Sequence, residues 1–201
     1  MRLFVGLELS PTVQNRLQLM HGGIEDARWT GEGQHHLTLA FIGEVPGNTM
    51  REIESALAGI HFTPFDMELK GVGMFGTAKR QQILWASVAD ETPVGHLRDK
   101  VAAVLDHIDV ETDRRRYKPH VTLARFKRGI QVQLKDWLAA NSLFATAPER
   151  VEHFSLFSSQ LSKDGAHYRV EARFAASSGA AECLAEDSMF EPVLPQMPEA
   201  E

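Results

Sequence analysis

The chain has 201 residues, of which 43% are hydrophobic and 24% are charged, a balance that excludes a disordered or fibrous protein. Its formal net charge of −6 argues against a partner as acidic as nucleic acid. The excess acid is confined to one segment, however, because residues 176–201 contain six acidic residues and no Lys or Arg. Residues 1–175 carry 21 acidic and 21 basic residues and are therefore neutral.

The single cysteine, Cys183, excludes an intramolecular disulfide and a cysteine-based zinc site, and it favours the reducing cytoplasm. No apolar run approaches the ~18 residues that cross a bilayer. The first residues also lack the small-residue cleavage site of a signal peptide. We therefore expect a cytoplasmic protein that does not insert into a membrane.

Hydrophobic periodicity and turn residues predict strands that alternate with helices. Ser10 and Pro11 supply a cap and a first helical residue, and Asn48 supplies a second cap. The predicted elements are a strand over 3–9, a helix over 11–20, a strand over 36–42, a helix over 49–59, strands over 65–75 and 82–89, a helix over 93–108, a strand over 119–126, a helix over 131–141, and strands over 149–158 and 167–174.

The order of elements repeats in the two halves of the chain. Leu-Thr-Leu-Ala at 37–40 and Val-Thr-Leu-Ala at 121–124 lie 84 residues apart, and each begins one residue after a histidine. This duplication predicts an α+β fold with two pseudo-symmetric lobes, each with a mainly antiparallel sheet and outer helices. A pseudo-twofold axis would bring the two matching strands together at a central cleft.

The domain is expected to span residues 1–175. Residues 176–201 are rich in Ser, Gly, Ala, Pro and acidic residues, which predicts a flexible tail. Apolar residues within this tail, such as Met189 and Phe190, leave open that part of it docks on the domain or on a neighbour.

Each matching strand offers a histidine and a threonine to one surface. Side chains alternate between the faces of a strand, so His36 and Thr38 point one way and Leu37 the other. The same alternation places His120 and Thr122 on one face. Two such strands beside a cleft bring two imidazoles and two hydroxyls together.

Two imidazoles and two hydroxyls suit displacement at phosphorus. A neutral imidazole accepts a proton from attacking water, while a protonated one donates to the leaving oxygen. Threonine hydroxyls can hydrogen-bond the non-bridging oxygens. A strained cyclic phosphate needs no metal for this step, and the residue types alone do not distinguish the acid from the base.

A basic segment surrounds the second motif and favours an anionic ligand. A solvated loop remains the alternative. Trp29, Phe41 and Tyr117 could stack on a base, although strand parity turns Phe41 towards the core. Between 114 and 128 the basic residues are Arg114, Arg115, Arg116, Lys118, Arg125, Lys127 and Arg128, with no acidic residue.

The two motifs resemble those of the 2H phosphoesterase superfamily, and within it the RNA 2′,3′-cyclic phosphodiesterases, also known as 2′-5′ RNA ligases. The resemblance covers residues 1–175. It implies metal-independent hydrolysis, without a cofactor, of RNA 2′,3′-cyclic phosphate ends to a 2′-phosphomonoester. The residues that carry it are Arg28-Trp29, His36-Leu37-Thr38-Leu39-Ala40-Phe41-Ile42-Gly43 and Tyr117-Lys118-Pro119-His120-Val121-Thr122-Leu123-Ala124-Arg125.

The resemblance also implies a role for each matching residue. His36 would donate a proton to the ribose 3′ oxygen and His120 would accept one from water, with Thr38 and Thr122 binding the phosphate. Arg125 stands where relatives carry a basic residue, but strand alternation puts it on the face opposite His120. A phosphate-binding role for Arg125 therefore requires a twist or a bulge. We expect the enzyme to act as a monomer.

Several alternatives remain open at this point. The substrate could be a small cyclic nucleotide or an ADP-ribose cyclic phosphate, the reverse 2′-5′ ligation could occur, or the protein could be a non-catalytic RNA-binding module. His35 beside His36 could indicate a metal pair, but adjacent strand residues point to opposite faces. The other histidines, including His21, are expected to be structural or on the surface.

Overall fold

The structure, a computed structural model, describes residues 1–76, 82–113, 116–126, 131–162 and 165–177. Part of the basic segment lies outside the described residues, namely Arg114, Arg115, Lys127 and Arg128. The predicted tail also lies outside them from residue 178 onwards. None of the helices within the described residues is long and apolar enough to cross a lipid bilayer.

Strands and helices alternate along the described chain much as the sequence predicts. The elements are β1 (Arg2–Glu8), α1 (Pro11–Gln18), β2 (Arg28–Trp29), β3 (His36–Glu44), α2 (Gly47–Ala58), β4 (Phe65–Met67), β5 (Leu69–Phe75), β6 (Gln82–Val88), α3 (Glu91–His107), β7 (His120–Phe126), α4 (Gln131–Ala140), β8 (Glu149–Val151), β9 (His153–Ser162) and β10 (Gly165–Ala175). The short strand β2 was not predicted, because two residues are too few to show a periodicity.

Two helices begin earlier than predicted. α2 starts after Pro46, which lies at the N-cap with φ −64° and ψ 158° and makes no side-chain cap, so the prediction of Asn48 as the cap is wrong. The fixed φ of proline starts this helix without a capping side chain. α3 begins at Glu91, two residues before the predicted start, and is capped by Asp90, whose carboxylate accepts a hydrogen bond from the Thr92 amide at 2.9 Å. The predicted cap at Ser10 is confirmed.

The main sheet has the strand order β10-β9-β1-β3-β7-β6-β5, with β2 beside β7. β3 and β7 pair only at Leu37 and Val121, so the two strands diverge and the sheet opens into two lobes. The first lobe contains β10, β9, β1 and β3, and the second contains β7, β6 and β5. Each lobe therefore takes its third strand from the other half of the chain.

A pseudo-twofold axis relates the halves, as the duplication predicts. Leu37 and Val121 are 84 residues apart and pair with each other. Asp66 and Arg150, also 84 apart, pair with each other at the centre of the separate β4-β8 sheet. That small sheet splits both predicted strands over 65–75 and 149–158, because the chain leaves it to cross into the opposite lobe. The predicted two-lobed α+β fold is confirmed.

One hydrophobic cluster joins the four helices to the sheet. It contains Leu37 and Val121 of the central strands together with buried residues of every helix, among them Leu17, Leu57 and Leu105. Because Leu37 and Val121 point away from His36 and His120, the helices cover the outer face of the sheet. The face that carries the two histidines is left open.

Candidate active site

Both motif strands contain a bulge at the same place. Across β1, Val5 pairs with Ala40 and Gly6 with Thr38, so Leu39 is an extra residue. Across β6, Leu84 pairs with Ala124 and Trp85 with Thr122, so the extra residue is Leu123. A bulge shifts the alternation of all following residues.

The bulges turn Phe41 and Arg125, which are 84 residues apart, onto the cleft face. Phe41 is 51% exposed, so its predicted place in the core is wrong. Arg125 therefore lies on the same face as His120. The bulge that a phosphate-binding role for Arg125 requires is thus present. Phe41 and Arg125 are thus equivalent positions of the two halves with different chemistry.

A cavity of about 830 Å³ lies over the open face of the sheet. Its lining includes all five residues predicted for the site: His36, Thr38, His120, Thr122 and Arg125. Phe41 and Tyr117 also line it, whereas Trp29 stacks on His21 at a centroid distance of 4.8 Å. This volume lies within the range of about 300–1,000 Å³ that is usual for ligand pockets.

The two histidines are oriented by the same hydrogen bond. Nδ1–H of His36 donates to the Gln34 carbonyl at 2.8 Å, and Nδ1–H of His120 donates to the Lys118 carbonyl at 2.7 Å. A carbonyl can only accept, so each ring carries its proton on Nδ1 when neutral. Nε2 of each ring is therefore the atom that can accept or donate a proton towards a ligand.

His36 is surrounded by aromatic rings of the first lobe. Its ring centroid lies 4.7 Å from Phe4, 5.9 Å from Phe157 and 4.8 Å from Tyr168, whose ring meets it edge-on at 78°. Burial is the main cause that lowers the pKa of His36 to about 4, and the charges of Arg125 and His120 contribute to this shift. In the free protein this ring is neutral at pH 7.

His120 lies among both aromatic and basic side chains of the second lobe. Its ring is 4.9 Å from Phe75 and 6.3 Å from Trp85. Lys118 Nζ lies 4.6 Å from the Trp85 ring centroid. Burial is the main cause that lowers the pKa of His120, and the positive charges of Arg125 and Lys118 lower it as well.

Hydroxyl groups hold the backbone of both motif threonines where β3 and β7 diverge. Tyr117 Oη–H donates to the Thr38 carbonyl at 3.0 Å, which links the two lobes. Thr30 Oγ1–H donates to the Thr122 carbonyl at 2.9 Å. Burial raises the pKa of Tyr117, so its hydroxyl remains a donor. These bonds satisfy carbonyls that the splayed strands leave unpaired.

The charged side chains around the cavity are mostly basic. Among the described lining residues there is one acidic residue, Asp113. The basic ones are Arg2, Arg98, Arg116, Lys118 and Arg125. The prediction of an anionic ligand agrees with this surplus of positive charge.

His35 lies on the opposite side of β3 from His36 and is only 2% exposed. Its Nε2 is 3.3 Å from Nε2 of His21, and its Nδ1 is 3.2 Å from the Gln14 side-chain oxygen. His21 and His35 thus hydrogen-bond each other beneath the sheet, which agrees with the predicted structural role of His21. Within the described ranges, no group of three or more His, Cys, Asp and Glu side chains could hold a metal ion.

Sequence reasoning missed the aromatic residues around the two histidines. Phe4 and Phe157 stack on each other at 4.8 Å beside His36, and Trp85 and Phe75 lie 4.9 Å apart beside His120. These residues come from strands that were predicted, but their pairing with β3 and β7 was not. Register between strands is the signal that would have revealed them.

Comparison with known proteins decides the family. The model of the LigT-like phosphoesterases matches residues 7–85 and, a second time, residues 89–168. The chain belongs to the LigT-like phosphoesterase family. The two matches divide the chain between the halves defined by the repeat, and the predicted resemblance is confirmed.

Individual LigT-like phosphoesterases are similar over much of the chain. The RNA 2′,3′-cyclic phosphodiesterase of Geobacillus stearothermophilus is 34% identical over 128 residues, which are 61% of this chain and only 41% of that relative. The enzyme of the same name from Archaeoglobus fulgidus is 26% identical over 84% of this chain and 97% of its own length. The crystal structure of E. coli LigT complexed with 3′-AMP shares the fold, with a TM-score of 0.72, 20% identity, and coverage of 88% of this chain and 98% of that one.

Proposed function

We propose that the protein is an RNA 2′,3′-cyclic phosphodiesterase that opens the cyclic phosphate to a 2′-phosphomonoester. The observation that carries this proposal is the pair of equivalent imidazoles, each with Nε2 available, on the two strands beside one cavity. Membership of a phosphoesterase family and the names of the relatives support it. In this proposal, residues 1–175 form the catalytic domain of a cytoplasmic monomer.

The proposed reaction is an in-line displacement. Water attacks phosphorus while Nε2 of His120 takes its proton, and the bond from phosphorus to the ribose 3′ oxygen breaks. Nε2–H of His36 protonates that oxygen, which becomes the 3′ hydroxyl. The phosphate stays on the 2′ oxygen, and the step needs no metal or cofactor.

The assignment of His36 as the acid rests on the family resemblance, and a bound phosphate is needed to protonate its ring. Both rings are neutral near pH 7 in the free protein, and an anionic phosphate between them would raise the pKa of each. Arg125 opposes protonation of both rings, whereas Lys118 acts on His120. In the free protein the pKa of His36 is lowered to about 4, so His36 can act as the donor only when a bound phosphate raises that pKa.

Thr38, Thr122 and Arg125 would bind the non-bridging oxygens. The two threonines line the cavity one residue beyond Leu37 and Val121, where the lobes meet. The Arg125 guanidinium supplies a permanent charge that stabilises the negative charge of the transition state.

Replacement of each histidine tests this proposal. A short RNA with a 2′,3′-cyclic phosphate end is incubated with the protein in EDTA, and conversion to the 2′-phosphomonoester is followed. His36→Gln and His120→Gln are each expected to lower kcat by about 100- to 10,000-fold. The double variant should be little slower than the slower single variant, because acid and base act in one step.

His107→Gln is the matched control, since His107 ends α3 and is exposed. It should retain full activity. Turnover retained by either motif variant would refute the assigned roles. RNA binding by the unaltered protein without turnover would instead support the RNA-binding module.

A further inference from the structure

The positive charge around the cavity extends beyond the two histidines. Arg125 lines the same cavity as both histidines. The Lys118 carbonyl accepts the Nδ1–H of His120 at 2.7 Å, and the Arg98 guanidinium lies 5.3 Å from the ring of Tyr117, the residue before Lys118. The cationic residues thus line the cavity beyond the two histidines as well as beside them.

One cyclic phosphate does not account for this number of cations. A 2′,3′-cyclic phosphate carries a single negative charge, which Arg125 and a protonated His36 can already balance. Arg98, Arg116 and Lys118 are further cations that line the same cavity, and Asp113 is the acidic residue among the described lining residues. A ligand that matches them carries at least one more phosphate.

Two of these three side chains are held in place by aromatic faces. The Arg98 guanidinium lies 5.3 Å from the Tyr117 ring centroid, and Lys118 Nζ lies 4.6 Å from the Trp85 ring centroid. Arg98 also pairs with Asp99 at 3.0 Å, which leaves Arg116 and Lys118 as the stronger anion ligands. Cation–π contact restrains a long side chain, so less entropy is lost when a phosphate binds.

We propose that Arg98, Arg116 and Lys118 form an outer phosphate subsite that binds the phosphodiester preceding the reacting nucleotide. This inference rests on the proposed function and specifies its substrate as an RNA end of two or more nucleotides. A cyclic mononucleotide would occupy the catalytic centre and leave the outer phosphate subsite empty.

The test compares three substrates that share a cyclic phosphate. They are adenosine 2′,3′-cyclic phosphate, the dinucleotide ApA with a 2′,3′-cyclic phosphate end, and ADP-ribose 1″,2″-cyclic phosphate. With the full-length chain, kcat/KM for the dinucleotide should exceed that for the mononucleotide by about tenfold or more, since one charged hydrogen bond has this effect. The ADP-ribose compound tests whether a pyrophosphate is the natural ligand of the subsite.

The double variant Arg116→Gln/Lys118→Gln should abolish the dinucleotide preference, so the ratio of the two kcat/KM values falls by about tenfold. Arg150→Gln removes an exposed charge from the β4-β8 sheet, where Arg150 pairs with Asp66. This control should leave the ratio unchanged. The salt dependence of kcat/KM for the dinucleotide should also weaken in the double variant, by about 0.7 in log–log slope for each cation that no longer binds phosphate.

Binding of products separates this inference from the proposed function. The Kd of ApA ending in a 2′-phosphate is compared with that of adenosine 2′-monophosphate, without any turnover. If no substrate reacts but the dinucleotide binds more tightly and loses that advantage in the double variant, the proposed function fails and the subsite stands. Equal affinity and equal kcat/KM for both lengths would overturn the subsite, and a stronger preference for the ADP-ribose compound would overturn RNA as its ligand.

Discussion

The two motif strands have the same backbone conformation, but the side chains around their histidines differ. β3 and β7 each carry a bulge after the threonine, and each orients its histidine through the carbonyl two residues earlier. Around His36, however, the neighbours are the rings of Phe4, Phe157 and Tyr168. Around His120, cationic side chains accompany the rings.

This difference shows where a duplicated site acquires asymmetry. The motif residues His-x-Thr and the bulge position the reactive atoms alike in both halves. The unlike properties come from positions just outside the motif, such as Phe41 in one half and Arg125 in the other. An asymmetric reaction, with an acid on one side and a base on the other, requires such a difference.

The largest expected effect concerns that pair of equivalent positions. Arg125→Gln should lower kcat/KM for the cyclic phosphate by about 100-fold, because it removes the charge that we propose to stabilise the transition state. Phe41→Leu should lower it by only about threefold, since an apolar contact on the cleft wall is largely kept. Both are measured with the dinucleotide at one pH. Similar losses in both variants would show that the two positions are not functionally distinct.

A second comparison concerns a glycine in each lobe. A Cβ on Gly6 would lie 2.7 Å from the Leu37 carbonyl oxygen, and one on Gly73 would lie 2.3 Å from the Trp85 ring. Gly6→Ala should destabilise the fold by about 1–3 kcal/mol, because the obstacle is backbone. Gly73→Ala should also destabilise it, because the Trp85 indole is buried against Phe75 and His120 and cannot move aside freely.

Unfolding in urea, followed by tryptophan fluorescence, measures these losses. Gly95→Ala is the control, since Gly95 lies within α3 and its Cβ would meet nothing within 4 Å. It should leave stability unchanged or raise it by about 0.5–1 kcal/mol. Unchanged stability in Gly6→Ala or Gly73→Ala would contradict the close packing described around that glycine.

The smallest expected effect is a change in the pKa values of His36 and His120. In the free protein, His36 should titrate near pH 4 by NMR, and inorganic phosphate should raise its pKa because an anion stabilises the imidazolium. His120 should also titrate below 6.5. A value at or above 6.5 for His36 would show that its ring is not desolvated as described.

These lowered pKa values also affect stability in acid. In the unfolded chain, His35 and His36 bind protons near pH 6.5, whereas in the folded protein they do so near pH 4. The unfolded state therefore binds more protons between these values, and the free energy of unfolding falls as the pH falls from 6.5 towards 4. Urea unfolding at pH 7 and at pH 5 measures this loss.

Much of the fold was predictable because the two halves of the chain repeat the same motif and the same order of elements. The repeated Thr-Leu-Ala at 38–40 and 122–124 located the two central strands and predicted the pseudo-twofold axis between them. The exchange of β5 and β9 between lobes was not predictable, because strand pairing depends on which edges meet in space. Nothing in the local sequence distinguishes a strand that joins the lobe of its own half from a strand that joins the opposite lobe.

The residues proposed to be catalytic were predictable from the sequence, whereas the side chains around them were not. His36, Thr38, His120 and Thr122 line one cavity, as their pattern predicts. The position of Phe41 was mispredicted because a single bulge reverses parity, and a bulge at Leu39 leaves no mark in the hydrophobic pattern, where Leu39 and Ala40 are both apolar. The aromatic surroundings of His36 follow from register across three strands.

The exchange of third strands makes the two lobes interdependent during folding. β1 lies between β3 and β9, and β10 pairs with β9, so the first lobe is complete only after the chain has passed residue 175. Contacts of such long sequence separation slow folding, and a ribosome-bound chain exposes the β1 edge until β9 arrives. Cutting the chain between residues 76 and 82 would therefore not yield two autonomous lobes, but two fragments that must find each other to complete either sheet.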